Sequence, residues 1–304
     1  MNVIALVWDF DKTLVAGYMQ DPIFKQFNVD ASEFWEEVND LPEKYLKEQG
    51  VAVNPDTIYL NEFIRCAHGG RLNGLNNEML KAYGNDLKFY PGVPEIFDAT
   101  KEIVEDVTAY KEYDIKVEHY IVSTGMKKVI EGSCVADKVQ GIWGCEFIEG
   151  DSGDGKVISE IGYTIDNTTK TRALFEINKG VGVGGREDID VNTSIPEDQR
   201  RVKFSHMIYI ADGPSDIPSF SLVNKNGGAT FAVYPKGDVE ALRQVEQMRK
   251  DGRVNFYAEA DYSKNTTAYL WLREKVRDFA EDIRKAERAK LLSSKGDSPR
   301  HLAG

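Results

Sequence analysis

The chain is poor in the residues that build disulfide frameworks and structural zinc sites. Its three cysteines, Cys66, Cys134 and Cys145, are odd in number and lack CxxC spacing, and its four histidines, His68, His119, His206 and His301, do not pair with them. Long apolar runs are missing as well. The first run, Val3 to Trp8, meets charge at Asp9, and Met1-Asn2 carry no basic residue, so neither a secretory signal nor a membrane anchor is expected. On that expectation the sequons at Asn167, Asn192 and Asn265 are chance matches. Base is also in deficit: 50 acidic against 38 basic residues leave a formal charge of −12, which argues against binding to nucleic acid or an anionic membrane surface. A cytoplasmic protein is expected; the oligomeric state is left open.

The 304 residues present can bury a substantial core, as one large domain or as a core with a smaller insert. Val3 to Trp8 reads as a fully buried strand, too short to span a membrane and too unbroken for an alternating edge strand. It ends in Asp9-Phe10-Asp11, whose two carboxylates leave the strand on the same side, with Thr13 two residues on. At the carboxyl end of a parallel strand such a pair sits where open α/β sheets bind ligands, and it can hold a divalent cation.

Further runs repeat the pattern. Val117 to Val122 leads into Ser123-Thr124-Gly125, His206 to Ala211 into Asp212-Gly213, and Ala229 to Tyr234 into Pro235-Lys236-Gly237. Helices are predicted over Val93 to Tyr110, Lys127 to Val135, Thr169 to Lys179, Asp238 to Lys250 and Asn265 to Arg288. This alternation predicts an α/β fold with a doubly wound, Rossmann-like parallel sheet. Between the first strand and Tyr90-Pro91-Gly92 the period becomes helical, with Phe34, Trp35, Val38, Leu41 and Tyr45, then Ile58, Leu60, Phe63 and Ile64. Residues 15–88 are therefore expected to form a small all-helical cap beside the site, with 1–14 and 89–290 as the core and 291–304 as a disordered tail.

Three features mimic function. Gly180 to Gly185 resembles a dinucleotide loop, but a helix precedes it and acidic REDID follows, where that fingerprint needs a strand before and a helix after. Asp151 to Lys156 begins like a calcium loop but lacks the closing Glu, so a hairpin turn is expected. Arg65 and His68 are expected on a solvated helix face.

Taken together, DFDKT at Asp9 to Thr13, IVSTG ending at Gly125, Lys170 in TTKTRAL and ADGPSD spanning Asp212 to Asp216 occur in a defined order. This resembles the haloacid dehalogenase (HAD) superfamily of phosphotransferases, and more closely its phosphoserine-phosphatase-like branch, in which a helical cap lies between the first two motifs. Thr124 stands where that branch often has a glycine. The resemblance implies that Asp9 is the nucleophile and Asp11 the acid–base, since a carboxylate attacking phosphorus splits hydrolysis into two transfers. Thr13 would tie down the turn. Ser123, Thr124 and Gly125 would cradle phosphoryl oxygens, and Lys170 would neutralise charge there. Magnesium suits the oxygen-rich set, with Asp9, the Asp11 backbone carbonyl and Asp212 as ligands; Gly213 shapes the turn, and Asp216 orients water or Lys170.

The expected activity is magnesium-dependent hydrolysis of a small phosphorylated metabolite through an aspartyl phosphate. A phosphomutase and a non-catalytic phospholigand-binding protein on the same fold are the alternatives. A receiver-type domain is disfavoured by the motif order.

Overall fold

Ile4 to Trp8 lose all contact with solvent because both faces of their strand are covered. Ile4, Leu6 and Trp8 enter one apolar cluster, and Val3, Ala5 and Val7 enter another on the opposite face, as the two-residue period of a strand requires. The computed structural model describes residues 2–153, 155–183 and 188–294.

In chain order the elements are β1 (Asn2–Trp8), α1 (Asp21–Phe27), α2 (Ala31–Gln49), α3 (Ile58–Ala67), α4 (Asn77–Tyr83), α5 (Glu95–Glu105), α6 (Thr108–Lys111), β2 (Ile115–Met126), α7 (Lys127–Glu131), β3 (Gly141–Ser152), β4 (Gly155–Tyr163), α8 (Lys170–Lys179), β5 (Met207–Ala211), α9 (Ile217–Lys225), β6 (Ala229–Tyr234), α10 (Val239–Lys250), β7 (Phe256–Glu259) and α11 (Thr267–Ser294). The seven strands form one sheet in the order β4-β3-β2-β1-β5-β6-β7. β1 pairs in parallel with β2 on one side and β5 on the other, so the strand order reverses at β1. Ligands of open α/β sheets bind outside the carboxyl ends of strands at such a reversal.

The parallel expectation needs one correction. β4 runs antiparallel to β3, as the hairpin expected at Asp151 to Lys156, because a short Gly-containing connection returns the chain directly. Asp154 of that motif, Gly184 and Gly185 of the glycine run, and His301 lie outside the described residues. Gly180 instead caps α8 at φ 82°, a left-handed conformation that favours glycine. The single helix expected over Val93 to Tyr110 is two, since Val107 is extended and interrupts it. α11 buries Ala268, Leu272, Val276, Ala280 and Ile283 against α5 and the sheet, and continues four residues into the segment expected as a tail; the remainder of that tail lies outside the described residues.

The segment between β1 and Tyr90 is helical, as its periodicity implied. Asp30 and Asn76 cap α2 and α4 by accepting from the N–H groups of Glu33 and Met79 at 3.0 and 2.8 Å. Phe24, Phe34 and Phe63 lock α1, α2 and α3 together, with ring centroids 4.8 to 5.9 Å apart. These rings belong to the same apolar cluster as Trp8 and Phe97 of the core. Among the described residues no helix is long and apolar enough to cross a membrane.

Candidate active site

The carboxyl ends of β1, β2 and β5 bring Asp9, Ser123 and Asp212 to one crevice. Asp9 is fixed there by its own N–H, which donates to Ile210 O of β5 at 2.9 Å. Lys170 reaches in from the first turn of α8 and is only 2% exposed. Its ammonium donates to Asp9 Oδ1 and to Asp216 Oδ1, each at 2.7 Å. Ordinary lysines keep their heads in water, so a buried lysine between two carboxylates is held there by charge. Lys179, the nearby alternative, instead donates to the carbonyls of Val191 and Thr193.

Thr13 does more than tie down its turn. Its buried hydroxyl donates to Asp9 Oδ2 at 3.1 Å, while its carbonyl accepts from Tyr262 OH at 2.7 Å. The Asp11 carboxylate accepts from Met19 N–H at 2.8 Å. Asp216 is fully buried and also accepts from Tyr209 OH, at 2.5 Å, and from Ser215 Oγ at 3.0 Å. Gly213 is extended, and its carbonyl accepts the Asp216 N–H at 3.1 Å.

At the end of β2, Ser123 Oγ accepts from Gly125 N–H at 2.9 Å and donates to no group of the described residues. Its buried hydroxyl proton is thus without an acceptor. One N–H group of the expected cradle, that of Gly125, is engaged by Ser123, and the N–H of Met126 just beyond it donates to Met19 Sδ at 3.0 Å. A side chain at Gly125 would strike Met19, because a Cβ there would lie 2.2 Å from Met19 Cε. The helix that follows, α7, has only five residues.

Carboxylates outnumber cations here. Ligand oxygens of Asp9, Asp212 and Asp216 can all lie within 4.8 Å of one another. Burial pushes Asp9 up to about 6, with Lys170 opposing and Asp216 reinforcing. Burial, Asp9 and Asp216 push Asp212 up to about 7 against the pull of Lys170. Asp11 is raised well above the usual carboxylate range, first by burial and then by Asp9. Burial alone would lower Lys170, but Asp216 and Asp9 outweigh it and hold the ammonium charged.

A cavity of about 360 Å³ opens from Asp11, Thr124 and Gly125; its other walls come from the segment between Tyr18 and Tyr59. Tyr59 OH donates to Thr124 O at 2.8 Å, joining α3 to the end of β2. A larger cleft of about 480 Å³ lies between Trp143 and Arg172 and touches none of these acidic residues. Arg65 and His68 lie outside both cavities: Arg65 pairs with Glu62 and His68 Nε2 meets Ile158 O at 3.0 Å.

Tyr209, Tyr262 and Met19 were not foreseen as parts of the site. A buried tyrosine hydroxyl needs a partner, so Tyr209 within an apolar strand was a readable signal. Met19 acts toward Asp11 through its backbone, which has no side-chain signature.

No protein-family model matches the chain. Solved structures of similar fold include a HAD family hydrolase from Salmonella enterica serovar Typhi, with a TM-score of 0.49 and 13% identity, covering 90% of this chain and 71% of that one. A phosphoserine phosphatase in its apo form aligns with a TM-score of 0.47 and 14% identity, covering 84% of this chain and 93% of that one. In sequence, an uncharacterized protein of Borreliella burgdorferi is 35% identical over 289 residues, covering 90% of this chain and 97% of the relative. The chain belongs to the same family as that Borreliella burgdorferi protein.

Proposed function

We propose that this chain is a magnesium-dependent phosphatase of the HAD type, acting on a small phosphate monoester through an aspartyl phosphate on Asp9. The observation that carries the reading is the arrangement around Asp9: one carboxylate oxygen on Lys170, the other on Thr13, and a second acid two residues on. An Asp9 oxygen attacks phosphorus as the bond to the ester oxygen breaks, and Asp11 gives its proton to the departing alkoxide. Asp11, now a carboxylate, takes a proton from water as that water attacks phosphorus, releasing phosphate and restoring Asp9. Burial and the neighbouring Asp9 raise Asp11 above the usual carboxylate range, the direction that suits a proton donor in the first half of that cycle.

The residues fit a divalent cation. Three carboxylates, Asp9, Asp212 and Asp216, converge beside one buried ammonium, and Asp212 makes no hydrogen bond or ion pair with any described residue. Oxygen donors of this kind suit magnesium, which would be held by Asp9 and Asp212 together with the Asp11 carbonyl, while Asp216 stays committed to Lys170 and Tyr209. When bound, the cation supplies charge neutralisation for an incoming phosphate dianion. The Ser123 hydroxyl and the Lys170 ammonium would receive the phosphoryl oxygens, and residues 15–88 would serve as the cap over the leaving group. A cytoplasmic location goes with such a substrate.

The test is a screen of small phosphate esters with and without magnesium, comparing wild type with Asp9→Asn. Magnesium-dependent release of inorganic phosphate, lost in the variant, is expected. Activity that survives the substitution removes Asp9 from its role, and a rearranged ester without free phosphate would establish a mutase instead.

A further inference from the structure

The cavity beside Asp11 is about 360 Å³, the size of a small-molecule site, and its lining includes no lysine or arginine. Two carboxylates face it, Asp11 at the reacting end and Asp56 on the insert side. Among the described residues Asp56 has no lysine or arginine within 4 Å; it accepts only from Asn167 N–H, at 3.2 Å. That bond, with Asn54 Nδ2 donating to Asp166 Oδ2 at 2.9 Å, fastens the loop before α3 to the core just ahead of Lys170. Asp56 is therefore held in place rather than waving in solvent.

Between the two acids stands an aromatic wall. Trp35 is flanked by Tyr18 and Tyr59, with ring centroids 6.3 and 5.8 Å away. Gln20 completes the wall; it is 3% exposed and its Oε1 makes no hydrogen bond. Aromatic faces attract cations, and a buried amide oxygen without a partner calls for a donor. Lys12 Nζ already covers the Tyr18 ring, 4.4 Å from its centroid at the Asp11 end, so a carboxylate or second phosphate on the Asp56 side would meet like charge with no lysine or arginine in the lining.

We infer that the alcohol portion of the substrate carries a positively charged nitrogen on a short carbon stem, seated against Trp35 with its charge toward Asp56. The substrate class is thus an aminoalkyl or alkylammonium phosphate monoester. This rests on the phosphatase reading above and adds to it the chemistry of the leaving group.

Binding without turnover separates the two readings. Calorimetry on the full chain with magnesium would compare 2-aminoethylphosphonate, its neutral analogue propylphosphonate, and 3-phosphonopropionate, which ends in a carboxylate. The aminoethyl compound is expected to bind at least tenfold more tightly than the neutral one, and the carboxylate compound more weakly than either. Asp56→Asn, which keeps an acceptor for Asn167, is expected to erase most of that preference, and Trp35→Leu to weaken it, with thermal melting to confirm that each variant is folded. Equal affinity for the three, tighter binding of the neutral or carboxylate compound, or a preference untouched by Asp56→Asn overturns the inference. Hydrolysis of p-nitrophenyl phosphate by the same samples reports on the phosphatase reading: its absence refutes that reading whatever the phosphonates do, and its presence without an ammonium preference refutes only the inference.

Discussion

The hydroxyl of Tyr59, on the helical insert, donates to the backbone carbonyl of Thr124 at the end of the second core strand, 2.8 Å away. This bond ties the wall of the cavity to the end of β2, which carries Ser123. Tyr59→Phe removes it while keeping the ring against Trp35. The Thr124 carbonyl retains a weak contact from Cys145 Sγ at 3.3 Å, so the expected loss of stability is about 1 kcal/mol by urea denaturation. Because the end of β2 that carries Ser123 would be less well held, kcat/KM should fall several-fold, and an unchanged value would show that the tether has no catalytic consequence.

Lys170 neutralises two carboxylates that have almost no access to water. Lys170→Met leaves Asp9 and Asp216 buried without their cation, and breaking such a pair from one side costs about 3–5 kcal/mol. Chemical denaturation should show that loss alongside abolished phosphatase activity. Adding Asp216→Asn to the variant should restore part of the stability and none of the activity. A Lys170→Met protein as stable as wild type would refute the electrostatic account of the crevice.

The two acids of the first motif should fail differently. Asp9→Asn is expected to lower turnover by about four orders of magnitude or more for every ester, since it removes the proposed nucleophile. Asp11→Asn should cost about 10²–10⁴ with an alkyl phosphate, whose leaving group needs a proton. With p-nitrophenyl phosphate, whose leaving group needs none, its first half-reaction should be much less affected. Steady-state and burst kinetics on the two esters give the comparison; equal losses on both would remove the proton-donor role from Asp11.

Magnesium should raise the melting temperature with the logarithm of its concentration above Kd, because a ligand that binds only the native state stabilises it by mass action. At a hundredfold excess over Kd the gain is about 2.7 kcal/mol. Asp212→Asn should blunt the response, since the Asp212 carboxylate makes no hydrogen bond or ion pair among the described residues and is pushed up to about 7 by burial and its acidic neighbours. A melting temperature indifferent to magnesium would count against the cation site.

His119 gives a pH dependence of opposite origin. Its Nδ1 accepts from Trp8 Nε1 at 3.1 Å and its Nε2 lies 3.2 Å from Phe97 O, an arrangement open only to the neutral ring. Burial, aided by Lys101, holds it down at about 3. The unfolded histidine titrates near 6.5, so this stabilisation is complete above that pH and declines as pH falls toward 3, by about 2 kcal/mol at pH 5. His206, lowered to about 4 mainly by burial, acts in the same direction. The raised Asp9 and Asp212 act in the opposite one, so the measure is the difference between wild type and His119→Gln across pH 7 to 5. That difference should shrink on acidification.

How far the sequence could be read depended on how local the cause was. β1, β2, β5 and β6 were legible because their apolar runs are unbroken, and α2, α3, α8 and α10 because their helical periods are local. β3, β4 and β7 were not: Gly141 to Tyr163 mixes charge with apolar residues on an edge hairpin, and Phe256–Glu259 is too short to show a period. Among the site residues, Asp9, Asp11, Ser123, Lys170, Asp212 and Asp216 could be found because each sits where a strand or helix begins or ends.

The sequence alone determined which chemical groups are available and in what order along the chain, since strand ends and helix starts are written in neighbouring residues. Only the tertiary structure decided what each group touches. It set Thr13 on Asp9, gave Lys170 two carboxylates rather than one, added Tyr209 to Asp216, and turned the Gly125 N–H inward onto Ser123. It also placed Asp56 across the cavity from Asp11, a pairing 45 residues apart that no local pattern announces. Contacts of this kind arise from packing between distant segments, and packing, unlike periodicity, leaves no local mark in the chain.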